Sequence, residues 1–324
     1  MMTNIVYDIF IEELKKKFPE KSQMANELAA ILFIEKEAAY RRLRGEVPFS
    51  FAEVVSLSLH FGISLDEIIC QDVLAIPWIS FLLCDVDIIE PKEADYEVIQ
   101  KQIDYIGIMA QDSESEFGWI SDIITLPLVS IYEQLYNFYL FKWNYQFKNI
   151  DVIKKFGEIK STERLRNISI EKFKRIRQFE KSILIFNDDT FIDLIDDICY
   201  FVNACLITKE EALLLKNDLH LLMNNLEGLA INGFADTGKK VEMYISLLKS
   251  YSDYAYFKSK NHQLTLIRSL TINGGYSADK HILQETKNLT SSLMRTATLI
   301  SATGAVERIK FFEKQRAYLE ECIF

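Results

Sequence analysis

Downstream of Pro127 the chain has no proline, and between Gly157 and Gly228 it has no glycine. Proline removes a helix donor and glycine costs about 1 kcal/mol in a helix interior, so a chain short of both is left to run in long helices. Apolar residues recur at helical spacing over Tyr96–Ile108 and Leu128–Ile150, and further helices are expected at 162–186, 190–206 and 208–231. Thr208 with Glu211 is a capping box that opens the last of these. The 128–150 segment carries Tyr132, Tyr136, Tyr139 and Trp143 on one stripe. Packed core is the plain reading of such a stripe, and the wall of a ligand cavity is the alternative.

The period then changes. Leu264, Leu266, Leu270 and Ile272 alternate with Thr265, Ile267, Ser269 and Thr271, which is a strand pattern. Met243–Leu248 and Asp253–Lys258 are β-prone, and Ser259–Asn261 makes a turn, so a small three-stranded antiparallel meander is expected at about 243–272. Gly274 and Gly275 end it, and helical spacing resumes over Ser277–Ala302 and Ala305–Glu321. The chain is therefore expected to be mainly α, close to all-α, with the meander alone making it α+β. No internal repeat of about 30–50 residues marks a helical solenoid.

Among the 324 residues, 37 Lys plus Arg stand against 47 Asp plus Glu, a net charge of -10 that leaves no general polyanion-binding surface. The imbalance is uneven: residues 73–128 hold 2 basic and 11 acidic groups, whereas 129–186 hold 12 and 6. The shifts near 72 and 128, with Pro77 and Pro91 between, suggest an N-terminal domain over 1–72, a transition over 73–95 and a helical effector or dimerisation domain over 96–324. The longest uncharged apolar run, Val73–Cys84, is 12 residues and contains Pro77, against about 20 for a membrane span. Met1–Lys17 is amphipathic, with Asp8, Glu12 and Glu13, unlike a signal peptide. No membrane partner is expected, and the location is expected to be cytoplasmic. Cys70, Cys84, Cys199, Cys205 and Cys322 are odd in number without a C-x-x-C, which suits reduced, mostly buried thiols.

The sharpest motif lies near the N-terminus. Ser22 is placed to cap a helix running to Leu32, Phe33 and Ile34 make a tight connection, and Glu35–Arg44 forms a second short helix ended by Gly45. Another helix follows over Ser50–Phe61, and Gly62 to Ile68 opens a fifth. Two helices joined so tightly make a helix-turn-helix. In the second of them helical spacing turns Ala39, Tyr40 and Leu43 inward, leaving Lys36, Glu37, Arg41, Arg42 and Arg44 outward. Arginine holds guanine bidentately or grips phosphate, and Arg41, Arg42 and Arg44 are dense for so acidic a chain. The alternative is a solvated face whose cations suit the C-terminal end of the helix dipole.

These residues resemble the λ repressor and Cro type, or XRE family, of helix-turn-helix domains. The matching residues are Leu28-Ala29-Ala30-Ile31-Leu32, Ile34, Tyr40-Arg41-Arg42-Leu43-Arg44-Gly45, Pro48 and Gly62-Ile63-Ser64-Leu65-Asp66. The resemblance covers roughly residues 5–70 and implies a five-helix DNA-binding domain whose third helix enters the major groove of double-stranded DNA. Ser22, Lys36, Glu37, Arg41, Arg42 and Arg44 are the candidate DNA-binding residues. Phe33 stands where the family has glycine, and a phenylalanine held at positive φ costs about 1 kcal/mol or more.

Other motifs lead elsewhere. Gly233-Phe234-Ala235-Asp236-Thr237-Gly238-Lys239-Lys240 nearly spells a phosphate-binding loop, but Lys240 replaces the magnesium-binding Ser or Thr and a helix precedes it where a strand is needed. Asp188, Asp189, Asp193, Asp196 and Asp197 cluster at a helix start, where acids satisfy free N–H groups, and no metal is expected. His60, His220, His262 and His281 form no local ligand pair. With no G-x-S-x-G elbow or dinucleotide loop, neither an enzyme nor a cofactor is expected. The basic stretch 154–181 is expected to face solvent or to complement the acidic segment 73–128.

The sequence thus points to a sequence-specific DNA-binding transcriptional regulator acting as a homodimer, since one small module with few phosphate contacts binds weakly. Ser277–Ala302, apolar at 282, 289, 293 and 300, is a candidate dimer interface, with intrachain packing as the alternative. A second reading makes the C-terminal domain a receptor for a peptide or small-molecule effector, which requires a cavity beside Tyr136 and Trp143. A third makes the helix-turn-helix a protein-contact module.

Overall fold

The computed structural model describes residues 2–18, 21–63, 65, 68, 82–83, 86–147, 155–250, 253–268 and 274–322. The chain divides into two compact units, Met1–Ser80 and Phe81–Phe324.

In the first unit α1 is Met2–Lys16, α2 Lys21–Leu32, α3 Lys36–Leu43 and α4 Phe51–Phe61. Their apolar faces meet in a core of Phe10, Leu14, Met24, Leu28, Ala39, Phe49 and Leu57. Fully burying each of the larger side chains is worth about 1.5–3 kcal/mol. Helix α4 is bounded by local chemistry: Ser50 and Glu53 close a capping box at its start, and Gly62 stops it at φ 61°. The Tyr7 hydroxyl accepts a hydrogen bond from the Phe49 N–H at 2.9 Å, tying α1 to the segment before α4. The rest of the expected fifth helix lies outside the described residues, although Leu65 and Ile68 are helical.

The second unit is built on an eight-stranded mixed sheet. Its strands are β1 (Leu82–Leu83), β2 (Glu116–Ser121), β3 (Lys181–Asn187), β4 (Lys240–Ser246), β5 (Asp253–Lys258), β6 (Gln263–Arg268), β7 (Gly275–Ser277) and β8 (Thr298–Leu299). The helices are α5 (Glu93–Ala110), α6 (Leu126–Val129), α7 (Glu133–Phe147), α8 (Glu163–Ile176), α9 (Thr190–Asn203), α10 (Lys209–Asn232), α11 (Lys280–Thr296) and α12 (Ala305–Glu321). The strand order is β1-β7-β6-β5-β2-β3-β4-β8, with β2, β3 and β4 parallel and every other pairing antiparallel. Parallel neighbours cannot be joined by a hairpin, so α6 to α8 carry the chain from β2 to β3, and α9 and α10 carry it from β3 to β4.

One layer across the sheet runs Leu266, Ala255, Trp119, Leu184, Met243. This face belongs to the large core, which takes in Ile106 of α5, Tyr136 of α7, Ile176 of α8, Leu194 of α9, Leu219 of α10 and Phe312 of α12. The opposite face, with Ile120, Ile183, Ile185 and Tyr254, packs on Leu293 and Met294 of α11. Gly118 stands opposite Tyr256 in register, and a Cβ there would lie 2.0 Å from the Tyr256 ring. The Tyr256 hydroxyl donates to Glu116 at 2.8 Å, and Lys287 of α11 pairs with the same carboxylate at 2.7 Å.

This architecture corrects the expected fold class. The expected five-helix N-terminal domain followed by a helical domain with a small meander, close to all-α, fails at its second part, because an eight-stranded mixed sheet stands at the centre of the second unit. The expected helix over 162–186 stops at Ile176, and Lys181–Asn187 is the middle strand of the parallel trio. The strands near 243, 253 and 263 exist, but β4 pairs with β3 and β8 while β5 pairs with β2 and β6, so the three do not form one meander. Residues 269–272, expected to continue β6, lie outside the described residues, as does most of the 73–95 transition up to 85. Thr208 and Glu211 do form the capping box of α10. Among the described residues no helix is long and apolar enough to cross a membrane.

Candidate functional site

Helix α2 ends in a Schellman-type turn, with Phe33 at φ 53° and the Ile34 N–H donating to the Ala29 carbonyl at 3.1 Å. Glu35, extended at φ -68° and ψ 150°, then starts α3 without a side-chain cap. Phe33 adopts positive φ despite that cost, and it is 95% exposed, so no packing offsets the strain.

Ala39 is buried, Tyr40 and Leu43 are half-buried, and Lys36, Glu37, Arg41 and Arg44 are exposed. Arg42 departs from the expected outward set. Its Nη2 donates to Glu53 Oε1 at 2.8 Å, its Nε to Glu53 Oε2 at 3.3 Å and its Nη1 to the Ala38 carbonyl at 3.3 Å. Burial raises the Glu53 carboxyl, but bonds from Arg42 and Ser50 outweigh it and hold the pKa below the usual value. Glu46 faces the other two arginines, 2.6 Å from Arg44 and 3.4 Å from Arg41, and Glu37 lies 3.2 Å from Arg44. Hydrogen bonds to Glu46 and Glu37 raise the Arg44 pKa, so it is a fixed cation. Lys36 lies over the Tyr40 ring at 5.9 Å. Ser22 lies within the first turn of α2, which runs from Lys21.

Sequence reasoning missed Glu53 and Glu46. The Ser50-x-x-Glu53 spacing could have marked the cap, but nothing local shows that the same carboxylate takes Arg42 from α3.

The chain matches no protein-family model, no curated protein and no solved structure. On the α2–α3 surface two arginines stand outward, Arg41 on α3 and Arg44 at its C-terminal cap, and Arg42 fixes the helix to α4.

The remaining candidates in the second unit resolve into structural roles. Gly233 ends α10 at φ 68°, and the loop after it leads into β4, so no helix N-terminus faces a phosphate there. Asp188 and Asp189 pair with Lys314, Asp193 with Lys249, Asp197 with Lys142, and Asp196 accepts from the Tyr318 hydroxyl. In the basic stretch Arg164 holds Glu93 through two bonds at 2.6 and 2.7 Å, and Arg166, Arg177 and Lys181 pair with Glu133, Asp236 and Glu242. Of the candidate interface residues, Ile282 and Ile300 are buried, Leu293 packs on the sheet and Leu289 is 48% exposed, so three of the four serve packing within the chain.

The aromatic stripe of α7 serves two ends. Tyr132, Tyr136 and Tyr139 are buried in the core, while Tyr136 and Trp143 also line a cavity of ≈ 120 Å3 bounded by α5, α8, β2, β5 and β6. A second cavity, ≈ 440 Å3, lies beyond Phe117, Trp119 and Ile176, which line both.

Proposed function

We propose that the protein is a sequence-specific DNA-binding transcriptional regulator whose α2–α3 helix-turn-helix presents Arg41 and Arg44 to the major groove. The carrying observation is the division among the arginines of α3. Arg42 is bound to Glu53, which sets the helix, while Arg41 and Arg44 are exposed and, among the described residues, paired only with exposed carboxylates. Exposed pairs of this kind are worth at most about 1 kcal/mol, so phosphate or a guanine edge can displace Glu46 and Glu37. Lys36 is assigned to a supporting phosphate contact, and the resemblance of residues 5–70 to repressor-type domains supports the same reading. Residues 1–72 hold 8 basic and 12 acidic groups, which favours weak non-specific binding and action as a homodimer on paired half-sites. Selection from random duplex DNA tests the proposal. One enriched sequence, bound less tightly as salt rises, supports it, and a pool without enrichment refutes it.

A receptor role for the second unit is favoured by the cavity beside Tyr136 and Trp143, the feature that reading required.

A further inference from the structure

We propose that Arg44 and Glu37 together read a single G·C base pair in the major groove, Arg44 holding the guanine and Glu37 its paired cytosine. The inference rests on the DNA-binding reading and deepens it, because it names the base pair that the α3 surface selects.

Glu37, Arg41 and Arg44 follow one another at i, i+4 and i+7, so they share the outward face of α3, and Glu37 is its acceptor. Arg44 stands at the C-terminal cap in helical conformation, φ -83° and ψ -5°, and its side chain runs back along that face. Its Nη2 donates to Glu37 Oε1 at 3.2 Å. Glu46 holds another edge of the same guanidinium, accepting from Nε at 2.6 Å and from Nη2 at 3.4 Å. Among the described residues Nη1 has no acceptor. The end of the fork, formed by Nη1 and Nη2, is therefore the part that fits guanine O6 and N7, and Glu46 keeps the Nε edge in place.

The carboxylate selects the pair. An ionised glutamate only accepts, and the base edges of the major groove offer it two donors, cytosine N4 and adenine N6. Across that edge a G·C pair presents acceptor, acceptor, donor at N7, O6 and N4, whereas an A·T pair presents acceptor, donor, acceptor at N7, N6 and O4. A two-pronged donor with an acceptor beside it matches the first order alone. The spacing agrees as well. O6 and N4 are joined by the hydrogen bond of the base pair, about 2.9 Å long, and Arg44 Nη2 lies 3.2 Å from Glu37 Oε1. When Arg44 turns to guanine, the bond that Glu37 loses is replaced by one from cytosine N4, so neither side chain is left unpaired. Against any other base pair Glu37 meets an acceptor, which penalises the wrong sequence.

The test uses the full chain and the duplex enriched by the selection described above. Each G·C pair of that duplex is replaced in turn by C·G, A·T and T·A, and Kd is measured at constant salt for the unsubstituted protein, Glu37→Gln and Arg44→Ala. At one pair, replacement by A·T is expected to weaken the unsubstituted protein about tenfold or more. At that same pair Glu37→Gln and Arg44→Ala are each expected to cut the penalty to about threefold or less, while the penalties at other pairs persist. A merely structural role for Glu37 would weaken every duplex alike. Glu37→Gln that leaves all base preferences in place, or that relaxes a different pair from Arg44→Ala, would overturn the proposal, as would an enriched site without a G·C pair. A selection without enrichment refutes DNA binding itself, whereas an enriched duplex with unaltered preferences refutes only the joint reading by Arg44 and Glu37.

Discussion

Arg42 grips Glu53 through bonds of 2.8 and 3.3 Å, and that carboxylate also accepts from the Ser50 N–H at 2.8 Å. One side chain thus caps α4 and fixes α3 against it. Both partners are 18% exposed, so removing one leaves the other without compensation in a half-buried site. Arg42→Ala is expected to cost about 2 kcal/mol in urea denaturation, and Arg41→Ala less than about 0.5 kcal/mol. Equal losses would contradict this division of roles.

The same pair sets a pH dependence. The Glu53 pKa is lowered in the folded protein, so its contribution is complete above the unfolded value of about 4.3 and is lost as pH falls through the folded value. The stability gap between the unsubstituted protein and Glu53→Gln is expected to narrow as pH falls from about 5 to 3. A gap that stays constant over that range would show that the carboxylate charge is irrelevant.

Phe33 sits at φ 53° with its ring 95% exposed. Phe33→Gly relieves the left-handed strain and sacrifices no burial, so a gain of about 0.5–1 kcal/mol is expected from the denaturation midpoint. A loss would show that the ring has a structural partner.

Gly118 has the opposite character. Its Cβ position is occupied by the Tyr256 ring in the middle of the sheet. Gly118→Ala must displace that ring from Glu116, and a cost of about 3 kcal/mol or more is expected in thermal or urea unfolding. A near-neutral substitution would show that Tyr256 can move freely.

Burial and a contact with Cys322 push the Cys199 thiol up to about 12, whereas Cys205 is exposed. Only the thiolate reacts, so iodoacetamide near pH 8, read by peptide mass spectrometry, is expected to modify Cys205 well before Cys199. The reverse order would contradict the packing of α9 on α12.

The sequence disclosed what depends on local spacing. The break at Phe33, the stop at Gly62, the Thr208 capping box and the strands at 253 and 263 all rest on residues within a few positions of one another. The central sheet was hidden for a physical reason. Ile183–Phe186 is buried on both faces between two parallel neighbours, so it reads as an unbroken apolar run, which periodicity cannot separate from a buried helix. Glu116–Ser121 is masked likewise, with Gly118 weakening its strand signal. In the candidate site, Arg41 and Arg44 were legible from helical spacing. The role of Arg42 was not, because Glu53 reaches it from another helix.

The central claim is that Arg41 and Arg44, and not Arg42, face DNA. It is tested most directly by the salt dependence of binding to a selected duplex for Arg41→Ala, Arg44→Ala and Arg42→Met, with folding checked by circular dichroism. The account predicts that Arg41→Ala and Arg44→Ala each weaken binding and, where a phosphate contact is lost, lower the slope of log K against log salt by about 1. It predicts that Arg42→Met, where folded, keeps the slope of the unsubstituted protein. Unchanged binding and slope in both Arg41→Ala and Arg44→Ala would contradict it.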